Sequence, residues 1–371
     1  MRGIIPFVSL CSLIWQTHAW GAVGHEIVAT IAEMYLFDST REAICDILSS
    51  SKFNEEDIDI FNNGEINSTD IEKPSSCHLA KVAAWADQVK GRMRWSSALH
   101  YVNGIGDHPP STCVFGEKGW EGKPRINVLS AIQNTTEWLV ENKPGSDEAL
   151  KFLVHFMGDM HMPLHLTGRN KGGNGDRVKW QGRSTNFHSV WDSRIISELI
   201  LLTPRKYDRP LPNAPSIESR LRGSIYDPFI RQIMIEGVYG QWSEDIESWI
   251  SCPDTISSLQ LSNTEQRPLL PDSLEHYSTP ILETDNSLAC PYHWAKPIHD
   301  LHCQFIWPPS IANENHKTVE IYTPEYMNIL RKDKTLERML SMGGLRLAAI
   351  LNGVYATEGE PSSRKGVIPH V

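Results

Sequence analysis

The sequence predicts an all-α fold: a mainly helical single domain with long loops and a small β-hairpin. Apolar side chains recur at intervals of three and four residues over most of the chain, as in amphipathic helices. No internal repeat and no Pro/Ser-rich linker divides the chain into separate units. The 371 residues are 40% apolar and 22% charged, which suits a globular protein with a full-sized core.

Eight segments carry the helical pattern. Asp38 or Ser39 could cap the second helix, and Ser146 opens the fifth. Gly343-Gly344 should interrupt the last helix, because glycine is a poor helix former. In chain order, the predicted helices cover 22–36, 38–48, 78–90, 125–142, 146–160, 186–201, 227–250 and 324–356.

The remaining segments predict loops, one hairpin and a tail. Residues 178–180 are flanked by glycine and polar residues and could form one strand of a small hairpin. The polar segment 50–76 should be a loop, and the proline-rich segments 203–216 and 252–310 should be irregular. We expect the tail 358–371 to be disordered.

The first nineteen residues predict a secretory signal peptide. Arg2 precedes an apolar run that ends at Trp15, and Thr17 and Ala19 are the small residues of a cleavage site. The run is too short to span a bilayer, and no later stretch predicts a membrane anchor. We therefore expect a secreted protein that is cut after Ala19, with a mature domain over 20–357.

Cysteine usage agrees with an exported protein, and the net charge limits the classes of function. Six cysteines remain after cleavage, an even number that favours disulfides, and none forms a CxxC pair typical of zinc sites. Asn67 and Asn134 begin glycosylation sequons. The formal charge of −10 argues against a protein that wraps duplex DNA. It does not exclude an enzyme that holds phosphates through metal ions.

Two histidine–aspartate pairs share one spacing. His155 and Asp159 lie four residues apart in a predicted helix, which would place both side chains on one face. His188 and Asp192 repeat that spacing, and His165 lies between the pairs. Roughly one such pair is expected by chance in a chain of this composition. Two pairs with a further histidine nearby favour a metal site.

The predicted amino terminus adds candidate ligands. After cleavage, the α-amine and carbonyl of Trp20 could chelate a metal ion, with His25 a few residues away. Asp87 and His100 are two more candidates. Each residue alone could be structural, as a buried histidine or an exposed helix charge, but the whole set favours metal binding. Imidazole and carboxylate ligands suit zinc, and more than one ion would be needed to use them all.

Seven segments carry a resemblance to a known family. The chain resembles the secreted single-strand-specific zinc nucleases, which include the fungal S-one and P-one nucleases, plant bifunctional nucleases and protozoan 3′-nucleotidases. The similarity runs in family order from Trp20 to about Asn352. The segments are WGAVGHEIVATIAE, AAWADQVK, SALHYVN, FLVHFMGDMHMPLH, GGNGDRV, NFHSVWD and GGLRLAAILN.

This resemblance implies a phospholipase C/zinc nuclease-like fold with three zinc ions per chain. Asp159 would bridge the first two ions, and His161 would not be a ligand. The implied ligands are Asp87, His100, His155 and Asp159 for the first ion, Trp20 and His25 for the second, and His165, His188 and Asp192 for the third.

The resemblance also implies the reaction. The protein would be an endonuclease that hydrolyses phosphodiester bonds of single-stranded DNA and RNA to 5′-phosphate products through a zinc-activated hydroxide. It would also act on 3′-nucleotides. Apart from the resemblance, we expect a monomer without a membrane anchor. Asp159 would orient the hydroxide, Lys90 would lie near the phosphate, and Asp107 would support the site from behind the ligands.

Substrate-binding residues and one disulfide follow from the same comparison. Tyr101 would stack on a base, Asn103 stands where relatives often have Asp, and the opposite wall would be formed by Lys171, Gly172, Gly173 and Asn174. Cys113 and Cys290 stand where a family disulfide would fall. Neighbourhood in the sequence suggests Cys45–Cys77 and Cys252–Cys303 for the others.

Two alternatives stay open at this stage. Secreted bacterial phospholipases C share the helical fold, the amino-terminal Trp and three zinc ions, but the Trp-Gly-x-x-Gly-His start and the His-Tyr-x-Asn segment favour the nuclease. A secreted metal-binding protein without catalysis is the second alternative. The presence of all nine ligand residues argues against it.

Overall fold

A computed structural model describes residues 21–50, 77–253, 285–286, 288–357 and 360. The predicted signal peptide, the segment 51–76 and the tail apart from Glu360 lie outside these residues. The described part is mainly helical, which confirms the predicted fold class. The α-helices are α1 (Ala22–Met34), α2 (Asp38–Ser50), α3 (Trp85–Val89), α4 (Val128–Val140), α5 (Ser146–Met160), α6 (Phe187–Ser189), α7 (Ile195–Leu201), α8 (Pro215–Glu218), α9 (Asp227–Gln232), α10 (Ile246–Ile250), α11 (Pro291–Asp300), α12 (Pro324–Lys332) and α13 (Thr335–Tyr355).

Shorter helical turns connect these elements. Wider π-helical turns at Val190–Arg194 join α6 to α7, and others at Ile233–Gln241 extend α9. The prediction of one helix over 78–90 is wrong, because the His78 side chain accepts the Ala80 N–H and starts a separate turn before α3. The 3₁₀ helices are Leu79–Lys81, Arg94–His100, Pro163–Leu166, Arg205–Tyr207, Leu301–Cys303 and Pro309–Ile311.

Helix α5 lies at the centre of the core. It packs against α1, α4 and α13, and all of its residues from Ala149 to Met160 are buried. A helix that is buried on every face is surrounded by other elements rather than lying on the surface. The side chains from Ala149 to Met160 are therefore shielded from water.

The two glycines of α13 do not interrupt the helix, contrary to the prediction. A Cβ added at Gly344 would lie 2.6 Å from the Cβ of Ile31, so the glycine allows α1 and α13 to pack closely. The interruption of the 324–356 segment falls instead at Lys334, which has a left-handed φ of 44° and separates α12 from α13.

The predicted hairpin is present and belongs to a three-stranded sheet. Strands β1 (Arg177–Trp180) and β2 (Arg183–Asn186) are antiparallel and joined by Gln181-Gly182, both with positive φ, as in tight hairpin turns. A short β3 (Val319–Glu320) pairs parallel to β1. Strand β2 leads directly into α6, which carries His188.

The segment 252–310 is not wholly irregular, because it contains α11. Pro291 occupies the first turn, and the Asp285 carboxylate accepts the N–H groups of Tyr292 and His293. Burial of Trp294 outweighs the presence of Pro297 inside the helix. The prolines that suggested a loop mark the start and the interior of this helix.

Three disulfides join the six cysteines of the described residues, with pairings that differ in part from the prediction. Cys45–Cys77 is confirmed, with a Cα–Cα distance of 4.9 Å. The predicted Cys113–Cys290 and Cys252–Cys303 pairs are wrong, because Cys290 and Cys303 flank opposite ends of α11. Each therefore bonds the cysteine near its own end, as Cys252–Cys290 and Cys113–Cys303. Among the described residues, no helix combines the length and apolar character needed to cross a bilayer.

Candidate metal centre

Helix α5 supplies the centre of the site with two side chains on one face. His155 and Asp159 are fully buried, and the His155 Nε2 atom lies 3.4 Å from Asp159 Oδ2. The His155 ring is held by a hydrogen bond from Nδ1 to the Ala83 carbonyl, with a distance of 2.8 Å. The spacing of four residues thus brings an imidazole and a carboxylate together, as the sequence predicts.

Two further predicted ligands converge on this pair from short helices. Asp87 lies in α3, and its Oδ1 atom is 3.6 Å from His155 Nε2. His100 ends the 3₁₀ helix Arg94–His100, and its Nδ1 atom is 2.9 Å from Asp159 Oδ2 and 3.7 Å from Asp87 Oδ1. The four residues form one compact buried group.

His25 reaches the same group from α1. Its Nε2 atom lies 3.5 Å from Asp159 Oδ1, and its ring stacks on His155 with 3.8 Å between centroids. A Cβ added at Gly158 would lie 2.4 Å from His25 Nδ1, so only glycine leaves room for this ring. Trp20 lies outside the described residues, but its neighbour Gly21 donates its N–H to the Asp192 carbonyl.

A second group lies beside the first. The His165 Nδ1 atom is 3.5 Å from Asp159 Oδ1, and the His165 and His188 rings are 5.1 Å apart. Asp192 follows His188 by about one turn in the π-helical segment and is buried. Burial raises the pKa of Asp192 well above its ordinary value, and the negative charges of Asp87 and Asp159 add to the rise.

Backbone carbonyls orient three of the histidines. The Nδ1 atoms of His155, His165 and His188 hydrogen-bond to the carbonyls of Ala83, His100 and Gly172. If each Nδ1 carries the proton, each Nε2 keeps a lone pair, which is the arrangement found in metal-binding histidines. No pattern in the sequence identifies these carbonyls, because every residue has one.

Several polar atoms of the two groups are buried without a hydrogen-bond partner. They are His155 Nε2, His165 Nε2, Asp159 Oδ1, Asp192 Oδ1 and both ring nitrogens of His25. Such atoms are costly to bury unless a ligand satisfies them. Among the described residues, two triplets within the first group have potential ligand atoms within 4.8 Å of one another. They are His25–His155–Asp159 and Asp87–His100–His155. The donor set therefore fits metal ions.

Burial controls the protonation of these residues. It lowers the pKa values of His25 and His165 well below the ordinary value and that of His188 to about 4, so the imidazoles are neutral near pH 7. Burial raises the pKa of Asp159 to about 8. A nearby cation would favour the ionised carboxylate, and neutral imidazoles with carboxylates are donors that zinc accepts.

Comparison with known proteins identifies the family. The S1/P1 nuclease family model matches residues 20–356. The chain belongs to the S1/P1 nuclease family. It is 27% identical to Endonuclease 3 of Arabidopsis thaliana over 368 residues, covering 96% of this chain and 95% of that protein. It is 26% identical to Nuclease P1 of Penicillium citrinum over 344 residues, covering 91% and 99%. With Nuclease S1 of Aspergillus oryzae the identity is 34% over 203 residues, covering 53% and 62%.

Membership of the S1/P1 nuclease family makes the chain a nuclease, a hydrolase whose substrates are nucleic acids.

The predicted substrate-binding residues lie on neighbouring segments. Tyr101 is 42% exposed directly after the ligand candidate His100. A Cβ at Gly168 would lie 3.0 Å from Asn103 Cγ, so the loop after His165 packs against the Tyr101–Asn103 segment.

The loop Lys171–Asn174 forms part of the same region of this S1/P1 nuclease. Lys171 is exposed with a φ of 59°, and Asn174 donates a side-chain hydrogen bond to the Lys171 carbonyl. Gly172 has a φ of 63°, and a Cβ there would lie 2.4 Å from the Leu164 carbonyl. Gly172 and Gly173 are buried, which leaves Lys171 and Asn174 to face solvent.

Three other predicted residues have defined surroundings. The Lys90 Nζ atom lies 3.7 Å from Asp87 Oδ1, at the edge of the buried group. Asp107 accepts hydrogen bonds from Thr167, the Val114 N–H and His299, so its carboxylate supports the loop after His165 rather than facing the ligands. Its proposed catalytic role stays a prediction.

The structure also bears on the predictions made for His161 and for the two glycosylation sequons. His161 Nδ1 bonds to the Met157 carbonyl and Nε2 to Arg346, so both ring nitrogens are engaged, in agreement with a non-ligand role. Asn134 is exposed on α4, whereas Asn67 lies outside the described residues. Glycosylation at both sites stays a prediction.

Proposed function

We propose that this S1/P1 nuclease is a secreted zinc-dependent endonuclease. It hydrolyses phosphodiester bonds of single-stranded DNA and RNA to 5′-phosphate products and also acts on 3′-nucleotides. The observation that carries the proposal is the convergence of unpartnered histidine and aspartate atoms around α5, in a chain of this family. The disulfides fit an oxidising compartment, as secretion requires.

The residues divide among three zinc ions. Asp87, His100, His155 and Asp159 would hold the first ion, and His25 with the amine and carbonyl of Trp20 would hold the second. His165, His188 and Asp192 would hold the third. Bound zinc supplies a lowered pKa for water, toward about 7, and positive charge beside the phosphate.

The two carboxylate oxygens of Asp159 face different histidines. Its Oδ2 atom faces His100 and His155, whereas its Oδ1 atom faces His25 and His165. A carboxylate in this position can bridge two ions and accept a hydrogen bond from the attacking water at Oδ1. It would thereby orient the water for attack on phosphorus opposite the departing 3′-oxygen.

The residues around the buried group would bind the substrate. Lys90 Nζ would donate to a phosphate oxygen at the edge of the group. The exposed Tyr101 ring would stack on a base, an interaction worth about 1–3 kcal/mol that any base can make. Asn103 and the Lys171–Asn174 loop would border the same base. A paired base has its faces covered by neighbours, so stacking of this kind favours single strands.

Signal cleavage and metal binding would be coupled. Cleavage after Ala19 would create the Trp20 amine, which can be a ligand only after processing. The Gly21 N–H bond to the Asp192 carbonyl, at 2.9 Å, holds the residue after Trp20 beside the third ligand set. The uncleaved chain would therefore lack the second ion.

We propose that the mature enzyme is a monomer.

The experiment uses secreted, signal-cleaved protein. Zinc per chain would be measured on the same sample as cleavage of denatured DNA, duplex DNA and a 3′-nucleotide, with phosphatidylcholine vesicles as a further substrate. A matched variant carries one extra residue before Trp20. Near three zinc ions, with cleavage of denatured DNA that is lost in the extended variant, supports the proposal. One zinc ion or none, or full activity with a blocked terminus, overturns it.

The family match also bears on the alternatives. It favours a nuclease over the phospholipase C-like phosphodiesterase, for which hydrolysis of the vesicles would be the evidence. Zinc binding with no turnover of any phosphoester would instead support a metal-binding protein without catalysis.

A further inference from the structure

A short exposed segment beside the metal centre has an unusual composition. We name Arg92, Arg94 and Trp95 the basic-aromatic ridge. Trp95 is 63% exposed, and both arginines are exposed. An exposed indole between basic side chains offers a ring face for stacking beside positive charge. From Gln88 to Gly106 the sequence contains no Asp or Glu, although the chain as a whole has a formal charge of −10.

The ridge is held in place by its own backbone and by buried neighbours. The Arg92 and Met93 N–H groups both donate to the Val89 carbonyl, and the Ser96 hydroxyl donates to the Met93 carbonyl. Met93 and Leu99 pack against the core, which turns the ridge side chains outward. The ridge is therefore fixed before any ligand binds, and a fixed surface loses little entropy on binding.

A chain of aromatic rings connects the ridge to the metal centre. The Trp95 ring lies 5.7 Å from Phe152, Phe152 stacks on Phe156 at 5.3 Å, and Phe156 meets His100 at 5.3 Å. In the sequence, the ridge lies between Asp87 and His100, both candidate ligands. Because Phe152 and Phe156 are buried, these contacts fix the ridge beside the metal centre through the protein interior.

The charges of the ridge are available to a ligand. Within the part of the chain that the structure describes, neither Arg92 nor Arg94 forms an ion pair with a carboxylate. A Cβ added at Gly91 would meet no atom within 4 Å, so the backbone between Lys90 and Arg92 is also open. Two guanidinium groups without an ion pair to any described carboxylate, together with an exposed indole, match a phosphate backbone with unpaired bases.

We infer that the basic-aromatic ridge binds the single strand beyond the nucleotide at the metal centre. Arg92 and Arg94 contact backbone phosphates, and the Trp95 ring stacks on an unpaired base. The inference rests on the proposed function, which it deepens. It predicts that polynucleotides gain affinity from the ridge, whereas a 3′-nucleotide is too short to reach it.

The test compares two substrates with the signal-cleaved holoenzyme. For a single-stranded DNA of twenty nucleotides, Trp95→Ala should raise KM by at least about fivefold, because base–aromatic stacking contributes about this much or more. Hydrolysis of a 3′-nucleotide and kcat on the long strand should be unchanged. Trp95→Tyr keeps an aromatic face and should restore most of the affinity.

The arginines are tested through the salt dependence of binding. Arg92→Gln with Arg94→Gln should reduce the slope of log(1/KM) against log[salt] by about 1.4, since each phosphate contact on a single strand contributes about 0.7. The matched control is Arg205→Gln with Arg209→Gln, two exposed arginines on another segment, which should leave the slope unchanged.

The outcomes separate the two proposals. If the parent enzyme cleaves neither substrate, the proposed function fails. If the parent cleaves both and the ridge variants match it on the long strand, the inference is overturned. Equal losses on the long strand and on the 3′-nucleotide would also overturn it, because they would indicate a structural effect on the metal centre.

Discussion

Asp87 and Trp95 belong to one short stretch of chain, yet Asp87 is buried among histidines and Trp95 is 63% exposed. The two mark different regions, the buried metal centre and the open rim formed by Lys90, Tyr101 and the basic-aromatic ridge. In the centre, polar atoms have lost water, and under the proposed function a bound ion would take its place. At the rim, charges are hydrated and screened by salt.

This difference sets the size of the effect that a substitution should have. Removing a buried ligand leaves other buried polar atoms unsatisfied, and the cost extends to every residue that shares the ion. Removing a rim side chain affects one contact with the substrate and is partly compensated by water. Changes in the centre should therefore abolish metal binding and turnover, whereas changes at the rim should alter KM and its salt dependence.

Asp159→Asn should have the largest effect. Both carboxylate oxygens face histidine nitrogens, and an amide offers only one oxygen and no charge. Loss of several kcal/mol of charge stabilisation corresponds to a decrease of about a thousandfold or more in kcat/KM on denatured DNA. Zinc content should fall in the same sample. Asp208→Asn changes an exposed carboxylate and is the matched control. Normal zinc content and activity in the Asp159 variant would contradict the bridging role.

Gly158→Ala tests the same centre without removing a ligand. The added Cβ would lie 2.4 Å from His25 Nδ1, so His25 must move away from Asp159. Misplacing one metal-binding residue should reduce zinc affinity or activity by about 10- to 100-fold. Gly91→Ala is the matched control at the rim, where the new Cβ meets no atom within 4 Å. Equal behaviour of the two variants would show that the close packing of His25 is unimportant.

The roles of the residues behind these two predictions are not equally predictable from the sequence. The His-x-x-x-Asp spacing places His155 and Asp159 together through helix geometry alone, so local sequence predicts that pair. The need for glycine at 158 comes from α1, which is distant in sequence. The carbonyls of Ala83 and Gly172 that orient histidines leave no trace in side-chain identity.

The fold shows the same contrast between features set by local sequence and features set by distant contacts. Helices α4 and α5 were predictable to within a few residues because amphipathic spacing and local caps determine them. The disulfide pairings and strand β3 depend on segments far apart in the chain, so local patterns could not assign them. Helix α11 was missed because Pro297 suggested a loop, whereas burial of Trp294 decides its structure.

Asp107 supports the loop after His165 from a buried position, and its substitution should show an intermediate effect. Although burial raises its pKa, hydrogen bonds from His299, Thr167 and the Val114 N–H lower it below the ordinary value. Its stabilising contribution is therefore present above the unfolded-state pKa and is lost as the pH falls through the lower folded-state pKa. Asp107→Asn should reduce the free energy of unfolding by about 1–3 kcal/mol at pH 7.

The pH dependence distinguishes this effect from a change in the metal centre. Thermal unfolding of the protein after zinc removal by a chelator should separate Asp107→Asn from the parent at pH 7. The separation should shrink as the pH falls below the ordinary carboxyl pKa toward the lowered folded-state pKa of Asp107. Asp333→Asn, at an exposed position after α12, should leave the melting temperature unchanged. A difference that is constant with pH would mean that the carboxylate charge is not what stabilises the loop.

Lys90→Gln should have the smallest effect, because it belongs to the rim although it touches the centre. Its Nζ atom is 3.7 Å from Asp87 Oδ1 and only partly buried, so water can replace much of what it contributes. Loss of one partly exposed phosphate contact of about 1 kcal/mol should raise KM about fivefold at low salt. The difference should shrink as salt rises, since screening weakens the contact in the parent. Lys332→Gln is the control at an exposed site on α12. A loss as large as that of Asp159→Asn, accompanied by loss of zinc, would instead place Lys90 in the metal centre and break the division between the two regions.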